Sequence, residues 1–315
     1  MSNNHSLEGG KIAWPLALLS NVLIAFGLLF MANGIGAILM TLYLGGKPDM
    51  ACFVLGDPNA ALMKNALLVG QIGGTFVGMI VLPLLYIFFL KKELQEIIFK
   101  PSWKQIFSFM LAAISITFII MPLIGIIGDW NKDVQLPSSW GSIAAGMRAM
   151  EDKAAQATKL IVAYNSTGEM FVVLFTVALL PAVAEELVFR GILLNDLNKT
   201  FNNIHLSVFI SAFVFSFIHF QFFGFFPRLL LGIVLGYLYI TSGNILVSML
   251  MHFTNNAIVV LALNLHAKGV LKIDPESSRD LPAESIYISI ILSSALFYIC
   301  WRMYKLRIDT GKTNV

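Results

Sequence analysis

Charged residues are scarce in this chain, and their scarcity argues against an ordinary soluble fold. Asp, Glu, Lys and Arg make up 12% of the 315 residues, whereas 57% of the residues are hydrophobic. Soluble globular domains carry about 25% charged residues. The mean hydropathy is +0.79. The composition therefore predicts an integral membrane protein.

The cysteine content and the net charge are also low, and each argues against certain classes of site or partner. The chain has two cysteines, Cys52 and Cys300, and no C-x-x-C pair, so neither a disulfide framework nor a thiolate metal site is indicated. A net charge of +3 argues against nucleic acid as a partner. The first residues lack a basic n-region, and the apolar run after them is too long for a signal peptide. We expect that run to remain as a spanning helix.

Long apolar runs predict an all-α fold, a polytopic transmembrane bundle of about eight spanning helices plus one amphipathic helix. The predicted spans lie near 14–43, 66–90, 104–127, 170–194, 205–221, 227–241, 245–265 and 285–304. The fifth and sixth spans are short, which leaves seven as the alternative count. Basic residues cluster after the second and the last span, and this predicts that both termini are cytoplasmic. In a bacterium the membrane would be the inner cell membrane.

The segment 128–168 divides the chain and contains the amphipathic helix, predicted from Ser139 to Tyr164. This helix would lie on the membrane surface or cap the opening of the later bundle. Four regions follow: an N-terminal three-helix region (1–127), the extracytoplasmic connection (128–168), a catalytic transmembrane domain (169–265) and a last helix with a cytoplasmic tail (266–315). Glycines at i,i+4 spacing predict close approach of helices. They are Gly70, Gly74, Gly78, Gly232 and Gly236.

Two carboxylates and a guanidinium lie within the fourth predicted span. An ionised side chain at the bilayer centre costs about 2.5–3.5 kcal/mol on insertion scales, so these groups must pair or face a polar cavity. Glu186 precedes Arg190 by four residues, the favourable order for an intrahelical ion pair. Glu185 is left with no local partner and becomes a candidate general base. The alternative is a structural ion-pair network in which another helix satisfies Glu185.

Two histidines occupy similar apolar surroundings. His219 follows Phe215 by one helical turn, and His252 precedes Asn256 by one turn. A single histidine of this kind is more often a hydrogen-bonded core residue. Two of them in the same half of the chain as the glutamate pair favour a functional site. Imidazoles hold water or metal, and an imidazole with an amide stabilises a developing oxyanion.

These residues form three ordered motifs: EExxxR at 185–190, FxxxH at 215–219 and HxxxN at 252–256. The set resembles the CPBP intramembrane protease family, which includes CAAX prenyl endopeptidases of the Rce1 type and bacterial Abi proteins, and the resemblance covers about residues 168–265. It implies a glutamate-dependent endopeptidase. The resemblance implies that Glu185 activates water and that His219 holds the water. It also implies that His252 and Asn256 stabilise the oxyanion. Supporting roles fall to Glu186, Arg190 and Phe215.

Family members are often called metalloproteases, so zinc held by Glu185, His219 and His252 is the alternative site. Because the sequence contains no H-E-x-x-H, we favour a mechanism without a metal cofactor. The resemblance implies a membrane-associated peptide or protein substrate, lipidated in CAAX proteins, and the lipid bilayer as surroundings. Two other functions remain open. One is a proton-coupled transporter, which predicts an inverted repeat, and the other is a non-catalytic bacteriocin-immunity or scaffold protein.

Overall fold

The computed structural model describes residues 14–46, 60–91, 103–275, 277–279 and 281–309. All regular secondary structure in these ranges is helical. The helices are α1 (Trp14–Tyr43), α2 (Ala60–Leu90), α3 (Trp103–Lys132), α4 (Gly141–Val162), α5 (Thr167–Phe201), α6 (Ile204–Phe217), α7 (Phe225–Ser242), α8 (Ile245–Ala267) and α9 (Ala283–Asp309). Cys300 on α9 is free and buried, whereas Cys52 lies outside the described residues.

Seven of the described helices are long and apolar enough to cross a membrane; α4 and α6 are the others. This confirms the predicted helical membrane bundle. The fifth predicted span, near 205–221, is the 14-residue α6. At a rise of about 1.5 Å per residue, a helix of that length falls short of the roughly 30 Å hydrocarbon core. The chain leaves α6 through a turn in which Phe220 adopts φ 52°.

Wide helical turns shape the two helices that carry proline close to the site. α2 contains a π-helical stretch at Phe76–Val81 just before Pro83, and α5 contains one at Leu174–Leu179 just before Pro181. Proline has no N–H and clashes with the carbonyl four residues earlier, so a wider turn accommodates it. A second π-helical stretch in α5, Leu187–Leu194, follows Glu186 directly and is buried throughout.

Small residues bring α1 and α2 into close contact, as the glycine spacing predicted. A Cβ atom on Gly70 would lie 2.7 Å from the carbonyl oxygen of Gly36, and one on Gly74 would lie 2.3 Å from that of Ala32. On α7, a Cβ atom on Gly232 would lie 3.0 Å from the Cβ atom of Ala212 on α6. Larger residues at these positions would force the helices apart.

The predicted amphipathic helix is α4, and its two halves differ. Its C-terminal end is buried, and Asn264 on α8 donates hydrogen bonds to the carbonyl oxygens of Val162 and Tyr164. Its N-terminal half leaves predicted apolar positions exposed: Ile143 by 52% and Met150 by 57%. Polar side chains connect this half to the turn before α7, so the apolar stripe is not what attaches it to the bundle.

Candidate active site

The charged residues of α5 meet a histidine of α8 inside the bundle. The Nη1 atom of Arg190 donates to Oε1 of Glu186 at 2.8 Å, which confirms the predicted ion pair. The Nδ1 atom of His252 lies 3.0 Å from the same oxygen. Glu186 and Arg190 are completely buried. One carboxylate oxygen therefore joins two elements that are far apart in the chain.

A third helix completes the surroundings of Arg190. Its Nη2 atom donates to the carbonyl oxygen of Gly232 on α7 at 2.8 Å. Its guanidinium also lies 5.1 Å from the ring centroid of Phe215 on α6. A buried charge is tolerated when it is paired and hydrogen-bonded. Arg190 therefore connects α5, α6 and α7 and supports the site from its buried side.

Glu185 faces a cavity while its neighbour is buried. Its side chain is 18% exposed, and Oε2 lies 3.7 Å from Nε2 of His252. Adjacent residues on a helix point about 100° apart, which explains the different surroundings of the two glutamates. The cavity has a volume of about 440 Å³ and is lined mainly by residues of α1 and α2. Its polar lining residues, apart from Glu185, are Asn33, Gln71 and Thr75.

His219 lies on the turn that follows α6 and is tied to its own helix. Its Nδ1 atom is 2.8 Å from the carbonyl oxygen of Phe215. The ring of Phe215 has its centroid 5.2 Å from that of His219 and 5.9 Å from that of His252. The predicted supporting residue Phe215 therefore contacts both histidines, and the three motifs come together at its ring.

The hydrogen-bond partners assign the proton positions of both histidines. A carbonyl oxygen only accepts, so Nδ1 of His219 carries the hydrogen and Nε2 of the neutral ring has a free lone pair. Likewise, Nδ1 of His252 donates to the Glu186 carboxylate, and its Nε2 is directed at Glu185. His219 thus offers an acceptor, while Nε2 of His252 lies 3.7 Å from Oε2 of Glu185.

Asn256 lies one turn beyond His252 on α8 and is partly buried. Its Oδ1 atom accepts a hydrogen bond from Asn255 at 3.3 Å. Among the described residues, no hydrogen bond joins Asn256 to Glu185, His219 or His252. Its expected role therefore depends on its position one turn from His252, and it stays a prediction.

The alternative zinc site gains no support from the donor geometry. In the part of the chain that the structure describes, no three His, Cys, Asp or Glu side chains form a group that could hold a metal ion. The Nδ1 atoms of His252 and His219 each contact a protein acceptor, so the donors left for a metal would be Nε2 of each ring and the Glu185 carboxylate. Glu185, His219 and His252 therefore do not form a metal-ligand set among the described residues.

Several contributing residues were missed by sequence reasoning. The spacing of Gly232 predicts only helix packing, because its carbonyl contact with Arg190 depends on the fold. Asn33 and Gln71 are polar residues within predicted spans, which was an available signal. Arg228 interrupts an apolar run after Pro227, and its charge interacts with Glu185 and His219. These residues come from both halves of the chain.

The fold and the site define a class: a helical membrane protein that buries a carboxylate–imidazole–guanidinium cluster beside a cavity. Residues 167–258 match the model of the Rce1-like family, described as type II CAAX prenyl endopeptidase Rce1-like. The chain therefore contains an Rce1-like domain, which confirms the resemblance seen in the motifs, and at the level of the family this is a CAAX protease-like domain. No curated protein and no solved structure matches the chain.

The match covers less than a third of the 315 residues, but it includes every predicted site residue. α1 to α4 lie outside it. Those helices nevertheless form much of the cavity beside Glu185, because Asn33 lies on α1 and Gln71 on α2. The domain therefore receives part of its site from the rest of the chain.

Proposed function

We propose that this protein is an intramembrane endopeptidase that hydrolyses a peptide bond by means of a water molecule activated by Glu185. The observation that carries this proposal is the placement of the two glutamates around His252. Glu186 anchors Nδ1 at 3.0 Å, and Glu185, on the cavity side, lies 3.7 Å from Nε2. The imidazole is thereby held in one orientation next to a carboxylate that solvent reaches.

Water activation uses two acceptors from different helices. Glu185 accepts a proton from the water, and Nε2 of His219 accepts a second hydrogen bond that fixes its position. The water oxygen forms a bond to the carbonyl carbon of the substrate as the carbonyl π bond opens to an oxyanion. The proton is then held on Glu185. His219 suits this role because its Nδ1 is already committed to the carbonyl of Phe215.

Oxyanion stabilisation falls to His252 and Asn256. Nε2 of His252 donates only when it carries a proton, and the neighbouring Glu185 supplies the proton it took from water. The Asn256 amide provides a second donor. When the tetrahedral intermediate collapses, the C=O double bond re-forms and the C–N bond breaks. The leaving nitrogen then receives, through Glu185 and His252, the proton that came from the water. Preorganised donors of this kind are worth about 10²–10³ in rate each.

The substrate would be a membrane-associated polypeptide that enters the cavity between α1 and α2. Most of the cavity lining is apolar, and Leu29, Ala37 and Met40 belong to it. An extended segment, lipidated in the case of a CAAX-like substrate, would place its apolar part there. Asn33 and Gln71 would bind its backbone amides, since an extended strand carries unpaired N–H and C=O groups.

The decisive experiment is cleavage of a panel of membrane-embedded peptides by purified protein and by its Glu185→Gln variant. The amide keeps the size of the side chain but cannot take the proton, so turnover should fall by about 10²–10⁴. The matched control is Glu284→Gln, which alters an exposed glutamate at the start of α9. Full activity in the Glu185 variant would remove that residue from the mechanism.

A further inference from the structure

The turn that carries His219 is held by contacts from outside the Rce1-like domain. The turn runs from the end of α6 at Phe217 to the start of α7 at Phe225. Within it, Phe220 adopts φ 52°, a left-handed conformation that is costly for a bulky residue. Such a conformation persists only when the surroundings hold it. The contacts around this turn therefore bear directly on the position of His219.

Asn131, at the end of α3, makes the first of these contacts. Its Nδ2 atom donates to the carbonyl oxygen of Phe222, and its Oδ1 atom accepts from the N–H of Phe226, both at 3.0 Å. The side chain of Asn131 is completely buried. One amide thus bridges the turn on both sides of Gly224. A buried side-chain amide with both of its polar atoms bound fixes the backbone that it bridges.

The amphipathic helix α4 makes the second contact through its charged residues. Oε1 of Glu151 accepts a hydrogen bond from the N–H of Phe223 at 2.7 Å. The guanidinium of Arg148, one turn earlier, lies 3.4 Å from the centroid of the Phe223 ring. Hydrogen bonds to an ionised carboxylate are about twice as strong as neutral ones. Burial raises the pKa of Glu151, whereas the N–H of Phe223 and the charges of Arg228 and Arg148 favour its ionised form.

Arg228 lies near both the turn and the candidate catalytic residue Glu185. It lies in the first turn of α7 and donates hydrogen bonds to the side-chain and backbone oxygens of Gln221. Its charge interacts with Glu151 on one side and with Glu185 on the other. The charge of Arg228 therefore acts on α4 through Glu151 and on the candidate site through Glu185, while its hydrogen bonds go to the turn.

We infer that Glu151 and Asn131 are positioning residues for His219, and that α4 is an integral part of the active site. They hold the turn so that Nε2 of the histidine stays directed at the catalytic water. This inference rests on the proposed protease function. It gives the amphipathic helix a specific task, which is to fix the catalytic turn through the charged residues Glu151 and Arg148.

Hydrogen exchange of the turn tests the contact without any reference to proteolysis. In the full-length protein in nanodiscs, Glu151→Ala should speed exchange of the Phe223 amide by about tenfold or more, because its hydrogen-bond acceptor is lost. The matched control is Asp152→Ala, which removes the neighbouring, exposed carboxylate of α4. Equal exchange in the Glu151 variant and the unaltered protein would overturn the inference.

Cleavage kinetics separate positioning from simple support of the fold. Glu151→Ala should lower kcat about tenfold or more with little change in KM, since neither Glu151 nor the turn lines the substrate cavity. Glu151→Gln keeps an acceptor oxygen and should restore most of kcat, and it also serves if the alanine variant fails to fold. Faster exchange with unchanged kcat would overturn the positioning role. Full activity in Glu185→Gln would instead defeat the proposed function, whatever the exchange of Phe223 shows.

Discussion

Glu186 and His252 are joined by a 3.0 Å contact between Oε1 and Nδ1, although they are 66 positions apart in the chain. This contact fixes the plane of the imidazole and directs Nε2 at Glu185. The two adjacent glutamates thus lie near different nitrogens of the His252 ring: Glu186 near Nδ1 and Glu185 near Nε2. In the proposed mechanism Glu186 orients the ring and Glu185 performs the chemistry, because Glu186 is completely buried whereas Glu185 is partly exposed.

Breaking the buried ion pair should destabilise the protein strongly. Arg190→Ala leaves Glu186 charged and completely buried without its guanidinium. Removing one partner of such a pair costs about 3–5 kcal/mol. We expect a large drop in the thermal unfolding midpoint as well as loss of turnover.

The exposed pair of Arg279 and Asp133, also 2.8 Å apart, is the control for Arg190. Exposed ion pairs contribute about 0–1 kcal/mol, so Arg279→Ala should leave the unfolding midpoint almost unchanged. An Arg190→Ala protein that is as stable as the Arg279→Ala protein would contradict the supporting role of Arg190.

His219→Asn should separate catalysis from stability. The amide of asparagine replaces the Nδ1–H donor to the Phe215 carbonyl but offers no acceptor in the place of Nε2. Turnover should fall by about 10²–10⁴, with the unfolding midpoint close to that of the unaltered protein. His205→Asn is the comparison, because His205 is bound to Tyr237 away from the site. Preserved turnover in the His219 variant would show that this ring does not hold the water.

Gly74→Ala should push α1 away from α2 and deform the cavity. The new methyl group would lie 2.3 Å from the carbonyl oxygen of Ala32, a backbone atom that moves only with its helix. Overpacking of this kind costs about 1–3 kcal/mol. Gly27→Ala on α1 is the control, because a Cβ atom there has open space. Thermal unfolding and KM measured together should both change for Gly74 and neither for Gly27.

Filling the cavity should impair substrate binding more than chemistry. Ala37 lines the cavity, and Ala37→Phe would occupy part of its volume of about 440 Å³. We expect KM to rise severalfold with kcat nearly unchanged, because Glu185 and its partners are untouched. Ile38→Phe, at an exposed neighbouring position on the same helix, should leave both constants unchanged. An unaffected KM in the Ala37 variant would argue for another entry route.

A strong chelator should leave turnover unchanged. Among the described residues no three His, Cys, Asp or Glu side chains form a group that could hold a metal ion, and the proposed mechanism uses Glu185 and the two histidines for proton transfer. Turnover of the purified protein should be compared before and after prolonged chelation, with zinc added back. Loss of turnover that zinc restores would overturn the mechanism without a metal cofactor.

The sequence predicted those features that depend on neighbouring residues in the chain or on the lipid surroundings. Apolar runs predicted the spanning helices because lipid demands that each backbone polar group be satisfied within its own segment. The spacing of Glu186 and Arg190 predicted their ion pair, since four residues make one helical turn. The same reasoning recovered α4 within two residues at each end.

Only the tertiary structure decided how these elements share their polar groups. Three sets of contacts join distant parts of the chain. His252 contacts Glu186, and Arg190 donates to the carbonyl of Gly232. Asn131 and Glu151 form hydrogen bonds with the turn that carries His219. Their partners are set by helix packing, which depends on small residues such as Gly232 and on the wide turns of α5. Composition and periodicity determined that this is a membrane protein and that its charged residues include a few within the spanning helices. Packing determined that Glu186 is buried and that Glu185 is partly exposed, because two adjacent residues on a helix face different neighbours.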